Sequence, residues 1–165
     1  MNTPLSTHLT TRTADTRPSA TVWLLGLGGL IPFVAAALWT YTTDDATSAQ
    51  KALVIQHAYA ACILSFVGAL HWAGAPQSGS DSSSAFSPAP AWRLIWGVLP
   101  SLVAWSAWMM PTEAARGLCL AGGLAAAWVF DWLTYRQWGW PRAFMYLRTL
   151  LTAVAAASLV VTAIR

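Results

Sequence analysis

Charge is what this sequence has least of. Asp, Glu, Lys and Arg make up 9% of its 165 residues, where a soluble globular chain carries about 25%. That scarcity excludes a water-facing surface over most of the molecule. The nine Lys and Arg stand singly with no basic stripe, so the formal charge of +3 and the pI near 9.2 do not mark a nucleic-acid binder. Cysteine is nearly absent too. Cys62 and Cys119 fall in apolar stretches, which suits small buried hydrophobes and excludes a disulfide framework or a cysteine-based metal site.

Catalytic signatures are missing as well. The chain has no H-E-x-x-H, no Walker loop, no G-x-S-x-G and no C-x-x-C, and no pair of intramembrane carboxylates is expected. Gly26, Gly28 and Gly29 in WLLGLGGLIP follow no strand, so they read as helix-packing glycines and not as a nucleotide loop. Residues 1–20 lack the continuous apolar segment of a secretory signal and read as a flexible polar tail. A mitochondrial presequence is the alternative for this tail, but it carries Asp15 and shows no apolar helical face.

What the sequence has is long apolar runs: 56% of it is apolar. Crossing a hydrocarbon layer of about 30 Å takes about 20 helical residues. Five runs qualify, at 21–41, 52–74, 92–110, 113–135 and 143–164, which predicts an all-α bundle of five transmembrane helices over residues 21–165. Pro32 and Pro100 interrupt runs 1 and 3, so kinks are expected there. Small residues recur at four-residue spacing, as Ala61, Ser65 and Ala69 in run 2, then Gly122 with Ala126 and Gly123 with Ala127 in run 4. With Gly68 they mark expected close helix contacts. The Ser-, Gly- and Pro-rich segment 75–91 reads as a disordered loop. No inverted repeat of the transporter kind is visible.

Lys and Arg set the expected sidedness. With the N-terminus cytoplasmic, the inner side collects Arg12, Arg17, Arg93, Arg136, Arg142 and Arg148. The outer side keeps Lys51, Arg116 and Arg165, beside Asp44, Asp45 and Glu113. Six against three predicts an outer C-terminus. Trp23, Trp72, Trp92, Trp96, Trp132, Trp138 and Trp140 would line one membrane edge, and Trp39, Tyr41 and Trp108 the other.

Asp131 lies near the end of run 4 and Arg148 early in run 5. An ionised side chain at mid-membrane costs about 2.5–3.5 kcal/mol on insertion scales, so Asp131 needs a partner or a role. The midpoint of positions 131 and 148 falls in the turn QWGWP, which puts both at one depth in an antiparallel hairpin. The same arithmetic puts His71 and Arg93 level across the Ser-rich segment. These four residues form the candidate site, a polar cluster at the cytoplasmic end whose guanidinium groups suit an anionic headgroup or carboxylate. A structural clamp fixing helix register is the competing reading. His57 and His71, fourteen residues apart on one helix, have spacing that two stacked haems would use, but the only other histidine, His8, lies in the tail. No metal ligand set and no cofactor is otherwise expected.

The ordered stretches ILSFVGALHWAG (63–74) and RLIWGVLPSLVAW (93–105), then Asp131 and YLRTLLT (146–152), resemble domain of unknown function 3429 (DUF3429). This is a family of bacterial inner-membrane proteins with transmembrane-protein-sixty-nine-like eukaryotic relatives. The resemblance covers residues 21–165. His71, Trp72, Arg93, Pro100, Asp131 and Arg148 match its pattern; the Ser-rich segment is longer than usual. The resemblance implies a five-helix protein of the bacterial inner membrane, or of the mitochondrial inner membrane in a eukaryote, and supplies no reaction. The expected function is a non-enzymatic accessory or assembly component. Its expected partners are the bilayer, anionic lipid or other membrane proteins, with homo-oligomers allowed. A small proton-coupled carrier working as an oligomer is the alternative, and a haem protein a third.

Overall fold

The computed structural model describes residues 19–72, 91–137 and 139–165. The tail up to residue 18, most of the Ser-rich segment and Trp138 lie outside the described residues. Helix α1 (Ala20–Gly28) starts where the Ser19 hydroxyl accepts the Val22 amide at 3.4 Å. Helix α2 (Ile31–Thr42) follows after Gly29 and Leu30. The kink expected at Pro32 is therefore a break two residues earlier, with Pro32 in the first turn of α2. Proline has no N–H for the carbonyl four residues back, so the ladder opens before it. The Tyr59 hydroxyl donates to the Gly29 carbonyl at 3.0 Å, which keeps that group from facing hydrocarbon unsatisfied.

Helix α3 (Ala46–Ala69) begins six residues before the expected run because Asp45 caps it. The Asp45 carboxylate accepts the Ser48 hydroxyl at 2.7 Å, the Ser48 amide at 2.9 Å and the Thr47 amide at 3.3 Å. These bonds, led by the Ser48 hydroxyl, hold its carboxyl below the ordinary range. A 3-10 turn, Leu70–Trp72, extends α3. Helix α4 (Ala91–Ala107) runs on through Pro100 and stops three residues short of the expected end. Helix α5 (Glu113–Thr134) is capped by Thr112, whose hydroxyl accepts the Ala115 amide at 3.1 Å. Helix α6 (Arg142–Ala163) follows a tight reversal. There Gly139 takes φ +68°, the Trp140 amide bonds Tyr135 O at 3.0 Å and the Gly139 amide bonds Arg136 O at 3.3 Å. That pairing is a Schellman stop, and its left-handed position suits glycine.

The chain is an all-α membrane protein, a bundle of five rods with α1 and α2 sharing one. Among the described residues, Ala20–Thr42, Ala46–Trp72, Glu113–Thr134 and Arg142–Ala163 are long and apolar enough to cross a membrane. At 17 residues, α4 spans about 26 Å and falls just short. Helix α3 is central, packing on α2, α4, α5 and α6; α5 and α6 form the most extensive pair. Helix α1 leans on α6 and buries no residue.

Burial runs opposite to that of a soluble protein. The interior holds Ala60, Leu64, Leu120, Leu124, Ala127 and Ala155 together with Gln56, His57, His71, Asp131 and Arg148. Large apolar side chains on the helices point outward: Phe66 is 61% exposed, Trp105 62% and Leu133 72%. Only a hydrocarbon surround makes that arrangement favourable. Hydroxyls inside the slab bond their own helix, as Thr40 to Ala36 O at 2.8 Å and Ser65 to Ala61 O at 2.9 Å.

Glycine sets the closest helix contact. A Cβ on Gly68 would meet the Gly97 carbonyl, and one on Gly97 would meet the Trp72 ring, so α3 and α4 touch backbone to backbone. A Cβ on Gly123 would sit 2.7 Å from Leu64 Cδ2. Gly122 departs from expectation: nothing lies within 4 Å of where its Cβ would be, since one residue turns the side chain by about 100° away from the bundle. Gly68→Ala is expected to destabilise the protein by about 1–3 kcal/mol through overpacking, while Gly122→Ala is neutral or slightly stabilising. Unfolding in detergent micelles reads both, and equal losses would remove this account of the α3–α4 contact.

Candidate functional site

The α5–α6 hairpin brings Asp131 and Arg148 together. Arg148 Nε donates to Asp131 Oδ2 at 2.9 Å, and Arg148 Nη1 donates to Thr152 Oγ1 at 3.3 Å. His71 reaches the same carboxylate from the 3-10 turn, with Nε2 3.2 Å from Oδ1. Asp131 is 0% exposed, His71 1% and Arg148 7%. Arg148 Nη2 has no hydrogen-bond partner among the described residues. Arg93 lies one turn before Gly97 on the buried face of α4, at the level of the 3-10 turn. It is 3% exposed.

Aromatic rings wall this centre. His71 lies 5.7 Å from the Phe130 ring and 5.5 Å from Trp140, and Trp96 stacks on Phe130 at 3.7 Å. Trp128 Nε1 donates to Thr149 Oγ1 at 2.9 Å, a second tie between α5 and α6. In so dry a place, a guanidinium nitrogen without an acceptor favours an anionic oxygen.

A second polar level, not foreseen from the sequence, lies at the other end of the bundle. Glu113, at the start of α5, accepts Gln50 Nε2 at 3.0 Å, and Arg116 Nη1 contacts both its oxygens at 2.6 Å. His57 Nδ1 is 3.0 Å from Glu113 Oε2. Arg116 also lies over the Trp108 ring at 4.7 Å. Beside it, Gln56 bonds Phe33 O at 3.3 Å and Ser158 Oγ at 3.4 Å, and accepts Thr162 Oγ1 at 2.9 Å, which joins α2, α3 and α6. Glu113 and Asp131, five full turns apart, share one face of α5.

Each carboxylate meets a histidine of α3, so α3 and α5 run parallel and are joined at both ends. Leu64, Val67, Leu120, Leu124 and Ala127 fill the space between. His57 and His71 are thus held by different carboxylates about 21 Å apart along α3. Among the described residues no group of three or more His, Cys, Asp or Glu is placed to hold a metal ion. A partial signal for the missed level was present: Gln50 and His57 lie two turns apart on one helix face.

Residues 18–164 match the family described as "Protein of unknown function (DUF3429)". The chain belongs to that family. It is also 37% identical over 141 residues to "Transmembrane protein 69" of Xenopus tropicalis, covering 82% of this chain and 51% of the relative. This DUF3429 chain therefore spans about half the length of the curated relative it matches. No solved structure matches it. The two polar levels are a property of this DUF3429 chain's own residues.

If Asp131 and Arg148 act as one unit, Asp131→Asn should lower unfolding free energy by about 3 kcal/mol, the scale for a buried pair deprived of one partner. Arg148→Gln should cost a similar amount, and the double variant should fall short of the sum by about 1 kcal/mol or more. Strict additivity in detergent unfolding would rule out the coupling.

Proposed function

We propose that this protein is a non-enzymatic accessory or assembly component of a bacterial inner membrane, or of the mitochondrial inner membrane in a eukaryotic setting. In this reading the N-terminus and the Asp131 cluster lie on the cytoplasmic or matrix side and the C-terminus outside. The Lys and Arg distribution supports that sidedness, because cytoplasmic loops carry the positive excess. The cluster anchors an anionic group of its partner, a lipid phosphate or the carboxylate of another membrane protein. No cofactor is assigned to the chain.

One observation carries the reading: Arg148, His71 and Asp131 meet in a buried centre, and Arg148 Nη2 there has no hydrogen-bond partner among the described residues. A proton-coupled carrier would use Asp131 and His71 as titrating groups in a water-filled cavity. The apolar layer of Leu64, Val67, Leu120 and Leu124 between the two polar levels favours the non-transporting role.

Purification in mild detergent, with mass spectrometry of co-purifying proteins and lipids, tests this. The wild-type chain is expected to retain a defined protein or anionic lipid, and Arg148→Gln to lose it by about tenfold, the effect of one charge-assisted bond. Retention unchanged in Arg148→Gln would overturn the site assignment. In proteoliposomes, pH-dependent flux abolished by Asp131→Asn would replace the accessory role with the carrier.

A further inference from the structure

The level around His57 has no part in that function, and its geometry leads elsewhere. Glu113 accepts from Arg116 and Gln50, so it is held as the carboxylate, and its oxygens can only accept from His57. Nδ1 therefore carries a hydrogen in either charge state, and in the neutral ring Nε2 carries the lone pair. His57 is 1% exposed, and Nε2 has no hydrogen-bond partner among the described residues. It faces Gly117, where an added Cβ would sit 3.0 Å away. No water fits in so small a gap.

The same spot joins three helices. Leu159 O and Ala163 Cβ of α6 lie 3.5 and 3.7 Å from that Gly117 Cβ position. Leu159 O lies 3.0 Å from the Thr162 hydroxyl, which is 2.9 Å from Gln56 Oε1. An N–H at Nε2 would find a glycine in front of it and no acceptor within hydrogen-bond geometry among the described residues.

We propose that His57, backed by Glu113, is a proton-binding site at the membrane face opposite the Asp131 cluster. Its neutral form seals the α3–α5–α6 junction, and uptake of one proton at Nε2 opens it. The proton comes from water; imidazole becomes imidazolium, and the His57–Glu113–Arg116 group goes from net zero to +1. Glu113, 27% exposed at its side chain, connects the site to the aqueous edge.

Glu113 and Arg116 on α5 are the charged groups facing His57 among the described residues. Of the other charges at this end, Lys51 on α3 is exposed, Arg165 after α6 sits over Tyr41 and bonds Thr43 O, and Asp45 is committed to its cap, with the exposed Asp44 beside it in the α2–α3 turn. Helices α2 and α4 bring no charged side chain to the ring; Arg93 of α4 lies at the far end.

Two measurements on the full chain in nanodiscs test the proposal. Nitrogen-15 NMR of the histidines should show His57 at neutral pH with hydrogen on Nδ1 and a bare Nε2. Hydrogen on Nε2 instead would overturn the proposal without any variant. Second, thiol labelling at Ala163→Cys, with both native cysteines changed to alanine and each rate divided by that of a free thiol at the same pH to remove the loss of thiolate, should speed up severalfold from about pH 8 to pH 5, the interval that brackets histidine. His57→Gln should abolish that rise. A rate insensitive to pH, or the same rise in His57→Gln, would refute the opening.

Discussion

Hydrocarbon offers no hydrogen bonds, and that constraint shapes every part of this bundle. Each polar group within the slab must find its partner inside the chain. Hydroxyls fold back on their own helix, Tyr59 covers the carbonyl exposed at the Gly29 break, and Gln56 is bonded at both ends of its amide. The groups too charged to be hidden this way collect at two levels, each built as carboxylate, histidine and arginine. Since apolar surface gains little by leaving lipid for protein, close glycine contacts and these polar joints hold the helices together.

That division explains the shape of the bundle. Helices α3 and α5 run parallel and are joined near both ends, with a dry apolar layer between, while α1 buries nothing and α4 is short. The α3–α5–α6 unit is the frame. The level at Asp131 leaves Arg148 Nη2 without a hydrogen-bond partner among the described residues, whereas the level at Glu113 leaves His57 Nε2 without one. One end suits an anion and the other a proton.

Much of this was legible in the sequence because depth is additive along a helix. The hairpin arithmetic through QWGWP put Asp131 beside Arg148, and low charge with five long runs specified the bundle. Helix ends were less legible: Asp45 extends α3 by capping six residues earlier, and the effect of Pro32 appears at Gly29, because a missing N–H opens the turn before it. Gly122 and Gly123 carry equal signals in sequence, and only the rotation of α5 decides which one packs. The Glu113 level was missed because its residues sit at run ends, where polar side chains are normal and unremarked. Its pairing needs α3 and α5 to be neighbours, which hydropathy does not reveal.

Lipid contact on the outward apolar faces is the most direct test. Nitroxide labels placed singly at Phe66, Trp105 and Leu133 in bilayers should collide with oxygen far more than with a water-soluble nickel chelate. Labels at Ala60 and Leu124 should meet neither. Dominant collisions with the chelate at the three outward sites would contradict a bundle surrounded by hydrocarbon, and the two polar levels would then lose their reason to exist.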